Sequence, residues 1–355
     1  MGHFLALSQA PHSASRVAFG SSPKLPFSPP AVYEGEGHIR ELNSVTIGLP
    51  LIIGTRGSPL ALAQANEVCT RLGAAHDELA QDGAIETHVI KTSGDRFVAR
   101  PLAEIGGKGL FTKEIEEALS AGAIDMAVHS MKDMPTWLPD GLEIACILPR
   151  EDPRDALIGA GLSGLADLPQ GGRVGTASLR RRAQLLHVRP DLEITMLRGN
   201  VATRARKVAE GEIDATLLAV AGLKRLGSME YIAAALAPED MLPAVAQGAI
   251  GVECRADDDR SRTYLAALND GDSARRVAAE RSLLAALDGS CRTPIAALAE
   301  IRASGRLYLR ALIARPDGTT IHRAEREGPA TDGDAMGRDA GAELHAAGGP
   351  DFFTD

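Results

Sequence analysis

Aromatic residues are scarce in this 355-residue chain, 3% in all with a single Trp. That is too few for the stacking platform that single-stranded nucleic acid requires. Excess positive charge is also lacking: 38 Lys and Arg stand against 47 Asp and Glu, a net charge of −9. The chain as a whole therefore repels nucleic acid and anionic lipid, and neither partner is expected. No apolar run approaches the length of a membrane span. Cysteine is limited to Cys69, Cys146, Cys254 and Cys291, with no C-x-x-C pair and no metal-ligand spacing. A disulfide framework and a bound metal are not expected, and a reducing, cytoplasmic setting is. Any anion this protein binds must be held by local charge.

Acid is missing altogether from residues 1–33, which carry only Arg16 and Lys24 as strong bases amid many Ser and Pro. Such composition reads as disorder. The segment is neither Arg-rich nor amphipathic, so it does not read as a transit peptide. Residues 1–47 are expected to be an unstructured extension, or to follow from a start codon placed too far upstream. Beyond it, 45% hydrophobic and 24% charged residues suit a soluble globular protein of two or three domains.

From Leu51 onward, short apolar runs alternate with helical periodicity. Strands are expected at Leu51–Gly54, Ile85–Lys91, Ile124–Val128, Glu143–Leu148, Arg173–Gly175, Leu192–Leu197, Ala215–Val220 and Ile250–Glu253. Helical spacing fills Leu60–Leu72, Lys113–Ala121, Leu179–Val188, Ala202–Glu210 and Tyr231–Leu236. The alternation implies an α/β protein with largely parallel sheets. Turn-forming residues cluster at Pro149–Asp155, Ala237–Pro243 and Arg255–Asp259. The first two clusters read as crossings between two β/α domains, one over 48–148 and 244–258, the other over 149–243. After Asp259 the order becomes helix, three strands, helix, a small α+β third domain over 259–355.

Local positive charge collects at 173–207, where nine Arg and Lys face only Asp191 and Glu193. Gly175-Thr176-Ala177-Ser178 leads from strand to helix, where free backbone N–H groups favour an anion. Arg198-Gly199-Asn200 ends the next strand, at the sheet edge where open α/β folds bind ligands. A solvated basic helix face is the bland alternative, disfavoured because two loops at one edge carry the charge. No Walker loop and no G-x-G-x-x-G fingerprint is present. Arg suits bidentate carboxylate recognition, so a polycarboxylate is expected rather than a nucleotide.

His129-Ser130-Met131-Lys132-Asp133 follows another strand. Lys132 and Asp133 form either an exposed loop ion pair of little value or a carboxylate facing an Arg-rich cleft, able to stabilise a substrate cation or shuttle protons. His129 reads as a structural histidine. Cys291 lies beside Arg292 on a Gly-containing loop, which favours a thiolate.

These residues carry a resemblance. Gly54-Thr55-Arg56-Gly57-Ser58-Pro59-Leu60-Ala61-Leu62, Gly106-Gly107-Lys108-Gly109-Leu110-Phe111, Val128-His129-Ser130-Met131-Lys132-Asp133, Arg150-Glu151-Asp152-Pro153-Arg154-Asp155-Ala156, Ser178-Leu179-Arg180-Arg181, Leu197-Arg198-Gly199-Asn200-Val201, Leu218–Leu226 and Gln247-Gly248-Ala249 closely resemble the hydroxymethylbilane synthase, or porphobilinogen deaminase, family, collinearly from about residue 50 to about 345. The resemblance implies two β/α domains like those of periplasmic binding proteins plus a small α+β domain bearing a cysteine. It implies a monomeric transferase of tetrapyrrole and heme synthesis that condenses four porphobilinogen molecules and releases ammonia. It also implies a dipyrromethane cofactor in thioether linkage to Cys291, with Ser130, Lys132, Thr176, Ser178, Arg180, Arg181 and Arg204 around that cofactor. Arg56, Ser58, Arg198, Arg204 and Arg225 would meet substrate carboxylates, and Asp133 would be catalytic. Gly-rich Thr92–Gly109 would form a lid. Ser290 and Ala177 depart from the usual family residues; the second removes one hydroxyl near the primer. The alternatives are a non-catalytic anion-binding module, which needs no special Cys291 or Asp133, and a nucleic-acid-binding protein, which charge and composition oppose.

Overall fold

The computed structural model describes residues 50–96, 109, 111–289, 293–349 and 352–353. The expectations for 1–47, for Cys291 and for most of the lid fall outside the described residues.

Five strands form the first sheet. The chain enters through β1 (Leu51–Thr55), α1 (Pro59–Ala75), β2 (Ile85–Val89) and the short α2 (Ser93–Arg96). It continues through α3 (Lys113–Ser120), β3 (Met126–Ser130) and β4 (Leu142–Ile147). It then crosses to β5 (Asp155–Ile158), β6 (Arg173–Gly175), α4 (Leu179–Val188), β7 (Glu193–Thr195) and α5 (Val201–Ala209). The second sheet is completed by β8 (Ala215–Ala219), α6 (Val220–Arg225) and β9 (Ala234–Ala235). The chain returns as β10 (Ile250–Arg255). After α7 (Asp259–Ala266) and α8 (Gly271–Ala286) come β11 (Ile295–Ile301), β12 (Arg306–Ala314), β13 (Ile321–Pro329) and α9 (Gly333–Gly348).

The strand orders are β2-β1-β3-β10-β4 and β7-β6-β8-β5-β9, with β11-β12-β13 a separate antiparallel sheet. In each five-stranded sheet the fourth strand is the one delivered by a crossing, and it runs antiparallel to both neighbours. The sheets are therefore mixed rather than largely parallel. Two elements escape sequence periodicity. β5 is only four residues long and opens with the buried charge of Asp155, so the charged stretch before it reads as a turn. Tyr231–Leu236 has helical spacing yet forms a turn and the edge strand β9. In the third turn cluster, Arg255–Asp259, Asp258 caps α7 by accepting from Ser261 N.

Side-chain caps also open α1, α4 and α5. Ser58 Oγ accepts from Ala61 N at the start of α1, Ser178 Oγ from Arg181 N at α4 and Asn200 Oδ1 from Thr203 N at α5. Leu51, Ile53, Val68, Leu72, Met126, Ile250 and Val252 pack between the first sheet and its helices; Leu157, Val174, Leu185 and Leu217 do so in the second. The two crossings touch at Gly248, whose φ is +91° and where a Cβ would collide with Glu151 O. Any side chain there would force the crossings apart.

Glu280 on α8 ties the third sheet to the crossings. Its carboxylate takes both guanidinium ends of Arg150, at 2.5 and 3.1 Å, and the amides of Ala246 and Ala299 at 2.6 and 2.7 Å. Neither charged side chain is more than 1% exposed. Ala246 itself holds φ at +57°, a conformation that costs a non-Gly residue roughly 1–2 kcal/mol and that the bond to Glu280 offsets. Glu280→Ala leaves a buried guanidinium without its charge partner, so an expected loss of about 3–5 kcal/mol should lower the urea midpoint. Glu327→Ala, which breaks exposed pairs to Arg302 and Arg306, should cost less than about 1 kcal/mol.

Candidate functional site

Two adjoining cavities lie at the carboxyl ends of the parallel strands. Arg56, Ser58, Gln64, Phe111, His129 and Ser130 line the first. Lys132, Ser178, Arg180, Arg181, Arg204 and Gln247 line the second, which encloses about 970 Å³ with open solvent included, the size range of small-ligand sites. Asp133 and Phe111 line both. Asp133 is the only acid among the described residues lining either cavity.

Strand β3 delivers Ser130, and a single 3₁₀ turn, Met131–Asp133, follows it. Met131 is buried and anchors the turn, leaving Lys132 and Asp133 at the cavity. Ser130 Oγ and the Gln64 side chain exchange hydrogen bonds at 2.8 and 3.1 Å. Gln64 is not legible as a site residue in the sequence, because a lone Gln at helical spacing carries no chemical signal. Lys132 Nζ reaches Gln247 Oε1 at 3.5 Å; burial lowers its pKa while Asp133 opposes that shift. The pair is thus a partly buried part of the cavity wall rather than an exposed loop. The Arg56 guanidinium stacks over the Phe111 ring at 4.1 Å.

The Arg cluster divides in two. Asp155, wholly buried on β5, receives Arg180 Nη1 at 2.7 Å, Arg181 Nη2 at 2.8 Å and Gln247 Nε2 at 2.9 Å. Arg180 also donates to Leu242 O, and Arg181 to Leu217 O. Burial alone would raise the Asp155 carboxyl, yet the two guanidinium groups hold it well below the usual carboxylate range. Arg181 Nε stays buried with no hydrogen-bond partner. Arg204 donates to Gly199 O; burial, with Arg181 and Arg198 nearby, lowers its pKa to about 10. Arg189, Arg206 and Lys207 instead pair with Asp191, Glu210 and Glu212, and Arg173 donates to Gly211 O. The residue count over 173–207 overstates the positive excess because two of those acids lie just beyond that window.

Not every expected residue reaches the cavity walls. Thr176 is buried and its Oγ1 accepts from Ser178 N, shaping the turn into α4. Arg198 is half-buried beside Arg204. Arg225 donates to Glu67 on α1 at 3.1 Å and to Gly248 O at 3.1 Å, bridging the two β/α regions.

In charge terms, Lys132, Arg180, Arg181 and Arg204 face Asp133 and, behind the wall, Asp155. Two positive charges and the unpartnered Arg181 Nε–H remain for an acidic ligand, and Asp133 offers one carboxylate to a cation or to N–H donors. Among the described residues no helix is long and apolar enough to cross a membrane, and no group of three His, Cys, Asp or Glu could hold a metal.

Residues 51–263 match the family model described as porphobilinogen deaminase, dipyromethane cofactor binding domain, and residues 274–346 match porphobilinogen deaminase, C-terminal domain. The chain is 60% identical over 304 residues to the porphobilinogen deaminase of Paracoccus denitrificans, covering 86% of this chain and 96% of that one. It is 56% identical over 304 residues to the chloroplastic porphobilinogen deaminase of Oryza sativa, 85% of each chain. Among solved structures, a periplasmic substrate-binding protein of an ABC transporter from Coxiella burnetii aligns over 63% of this chain and 94% of its own, with 14% identity and a TM-score of 0.37. That superposition is too loose to bear on the fold, which rests on the sheet topology.

Asp155 has a testable pH signature. Its folded-state pKa is depressed, so its contribution is fully present above the unfolded value of about 3.9 and drains away as pH falls toward the folded value. Asp155→Asn should therefore unfold at a much lower urea concentration than wild type at pH 7, with the gap narrowing below about pH 4. A gap constant from about pH 7 to about pH 3 would contradict this assignment.

Proposed function

The chain belongs to the porphobilinogen deaminase family, and on that premise we propose that Asp133 is its catalytic carboxylate and Cys291 the attachment point of its primer. Its reaction condenses four porphobilinogen molecules head to tail, releasing ammonia and then the linear tetrapyrrole hydroxymethylbilane. Its cofactor is a dipyrromethane. When bound, that group supplies the nucleophilic pyrrole carbon.

The observation that carries the reading is the single acid, Asp133, at the junction of two otherwise cationic cavities. Each pyrrole bears an acetate and a propionate, for which Lys132, Arg180, Arg181 and Arg204 supply countercharge, with Ser178 and Ser130 as hydroxyl donors. The unpartnered Arg181 Nε–H is a donor that an acidic primer would satisfy. Arg56 and Ser58 line the neighbouring cavity, suited to incoming substrate; Arg198 lies beside Arg204, and Arg225 donates to Gly248 O. Loss of ammonia from porphobilinogen leaves a cationic azafulvene, which the arginines alone would oppose. Asp133 accepts the pyrrole N–H groups and offsets the developing charge.

Cys291 lies outside the described residues, but the other thiols favour it. Burial pushes Cys146 up to about 12, Cys254 up to about 11 and Cys69 upward as well, so none is a ready thiolate. Cys69, Cys146 and Cys254 are unbridged, which suits a cytoplasmic enzyme in a reducing compartment.

The isolated protein should be heavier than its sequence by two porphobilinogen units less their ammonia, and Cys291→Ser should lack both the increment and the activity; intact mass and a turnover assay check this together. Asp133→Asn should slow single-turnover ammonia release by about two to four decades, or about 3–5 kcal/mol, while Asp133→Glu keeps measurable activity. Equal rates for the two would reduce Asp133 to an ion-pair partner of Lys132. Arg181→Leu should lose primer. Arg198→Leu should keep primer and stall during elongation, with partly extended complexes visible by mass.

A further inference from the structure

Three ionisable side chains are buried together beneath the first cavity: Glu116 on α3, His129 on β3 and Glu253 on β10. None is more than 5% exposed. His129 Nε2 lies 2.9 Å from Glu253 Oε2. The register sets His129 opposite Gly251 and Ala127 opposite Glu253, so the bond is a diagonal one across a single strand pair. Gly251 also admits the Met131–Asp133 turn, since a Cβ there would collide with Met131 Sδ. β10 is thus the floor on which both His129 and that turn are seated.

This cluster goes beyond what packing requires. Two carboxylates and an imidazole are withdrawn from water at a site where apolar residues of similar volume would be less costly to bury. Glu253 Oε1 and Glu116 Oε1 have no hydrogen-bond partner. Burial raises the Glu116 pKa, with Glu253 adding to the rise and His129 opposing it. Arg281 on α8 is the nearby cation: it donates to Met134 O and Pro135 O at the far end of the turn and interacts with Glu253. His129 lines the same cavity as Asp133 and Arg56.

We propose that Glu253, acting through His129, is a positioning residue for the condensation: it holds the imidazole in one orientation and keeps negative charge beneath the Ser130–Asp133 segment as the substrate cation forms. The inference rests on the assignment of Asp133 as the catalytic carboxylate.

The test uses primer-loaded enzyme throughout, with thermal midpoint and intact mass measured on every variant. Glu253→Gln keeps an acceptor for the imidazole and removes the charge. It should retain fold and primer and lose about 10-fold to 100-fold in kcat with KM within about twofold. Glu253→Asp should recover part of the rate. His129→Gln, which keeps an N–H donor toward Glu253, is the second handle. It should lower kcat at unchanged KM, and adding Glu253→Gln to it should cause no further loss. A wild-type kcat in Glu253→Gln, or losses confined to thermal midpoint and primer content in both variants, would overturn the proposal. Asp133→Asn run alongside separates the two claims. If it is impaired while Glu253→Gln is normal, only the role of Glu253 falls; if it is unimpaired, the reading of Asp133 falls and this inference with it.

Discussion

The cleft depends on one buried carboxylate. An acidic substrate needs several cations converging on a small volume, and such cations repel one another and resist burial. Asp155 resolves that conflict by holding Arg180 and Arg181 from the inside, at 2.7 and 2.8 Å. Arg181 keeps Nε unpartnered, and both residues line the second cavity. Because Asp155 opens the crossing strand β5 and also receives Gln247 from the return crossing, the same group fastens the two crossings to the second sheet. Gln247 extends the network to Pro153 O and to Lys132. Removing Asp155 would strand two guanidinium groups in the interior, a larger penalty than any exposed ion pair of this protein can represent.

Glu280 plays the corresponding part for the third sheet. Its four donors come from the first crossing, the return crossing and β11, so α8 is referenced to the same crossings that carry Asp155 and Gln247. Buried Arg–carboxylate pairs whose oxygens are fully engaged are demanding in geometry. They specify one arrangement of these segments where apolar contacts would tolerate several. The loop that follows α8 begins with Asp288 at φ +45° and Gly289, against whose Cα position Ile295 and Leu284 pack closely.

Against this cationic surround, Asp133 is chemically distinctive. Its turn is short, seated on Met131 and on β10, and held at its far end by Arg281. A carboxylate fixed in that way needs little reorganisation when charge develops on the substrate.

The sequence alone determined the class of fold, the acid in Lys132-Asp133 and the local excess of arginine, because each is written in short-range spacing and residue type. Family motifs carried the reaction. Tertiary structure decided which arginines matter: Arg180, Arg181 and Arg206 look alike in sequence, yet two face Asp155 and the third pairs with Glu210 outside. It alone decided that β5 and β10 run antiparallel to their neighbours, that Tyr231–Leu236 abandons its helical spacing, that Arg225 meets Glu67, and that His129 finds Glu253 from 124 residues away. Those outcomes are long-range pairings whose free energy comes from burial and charge neutralisation between distant segments, and local spacing holds no record of them.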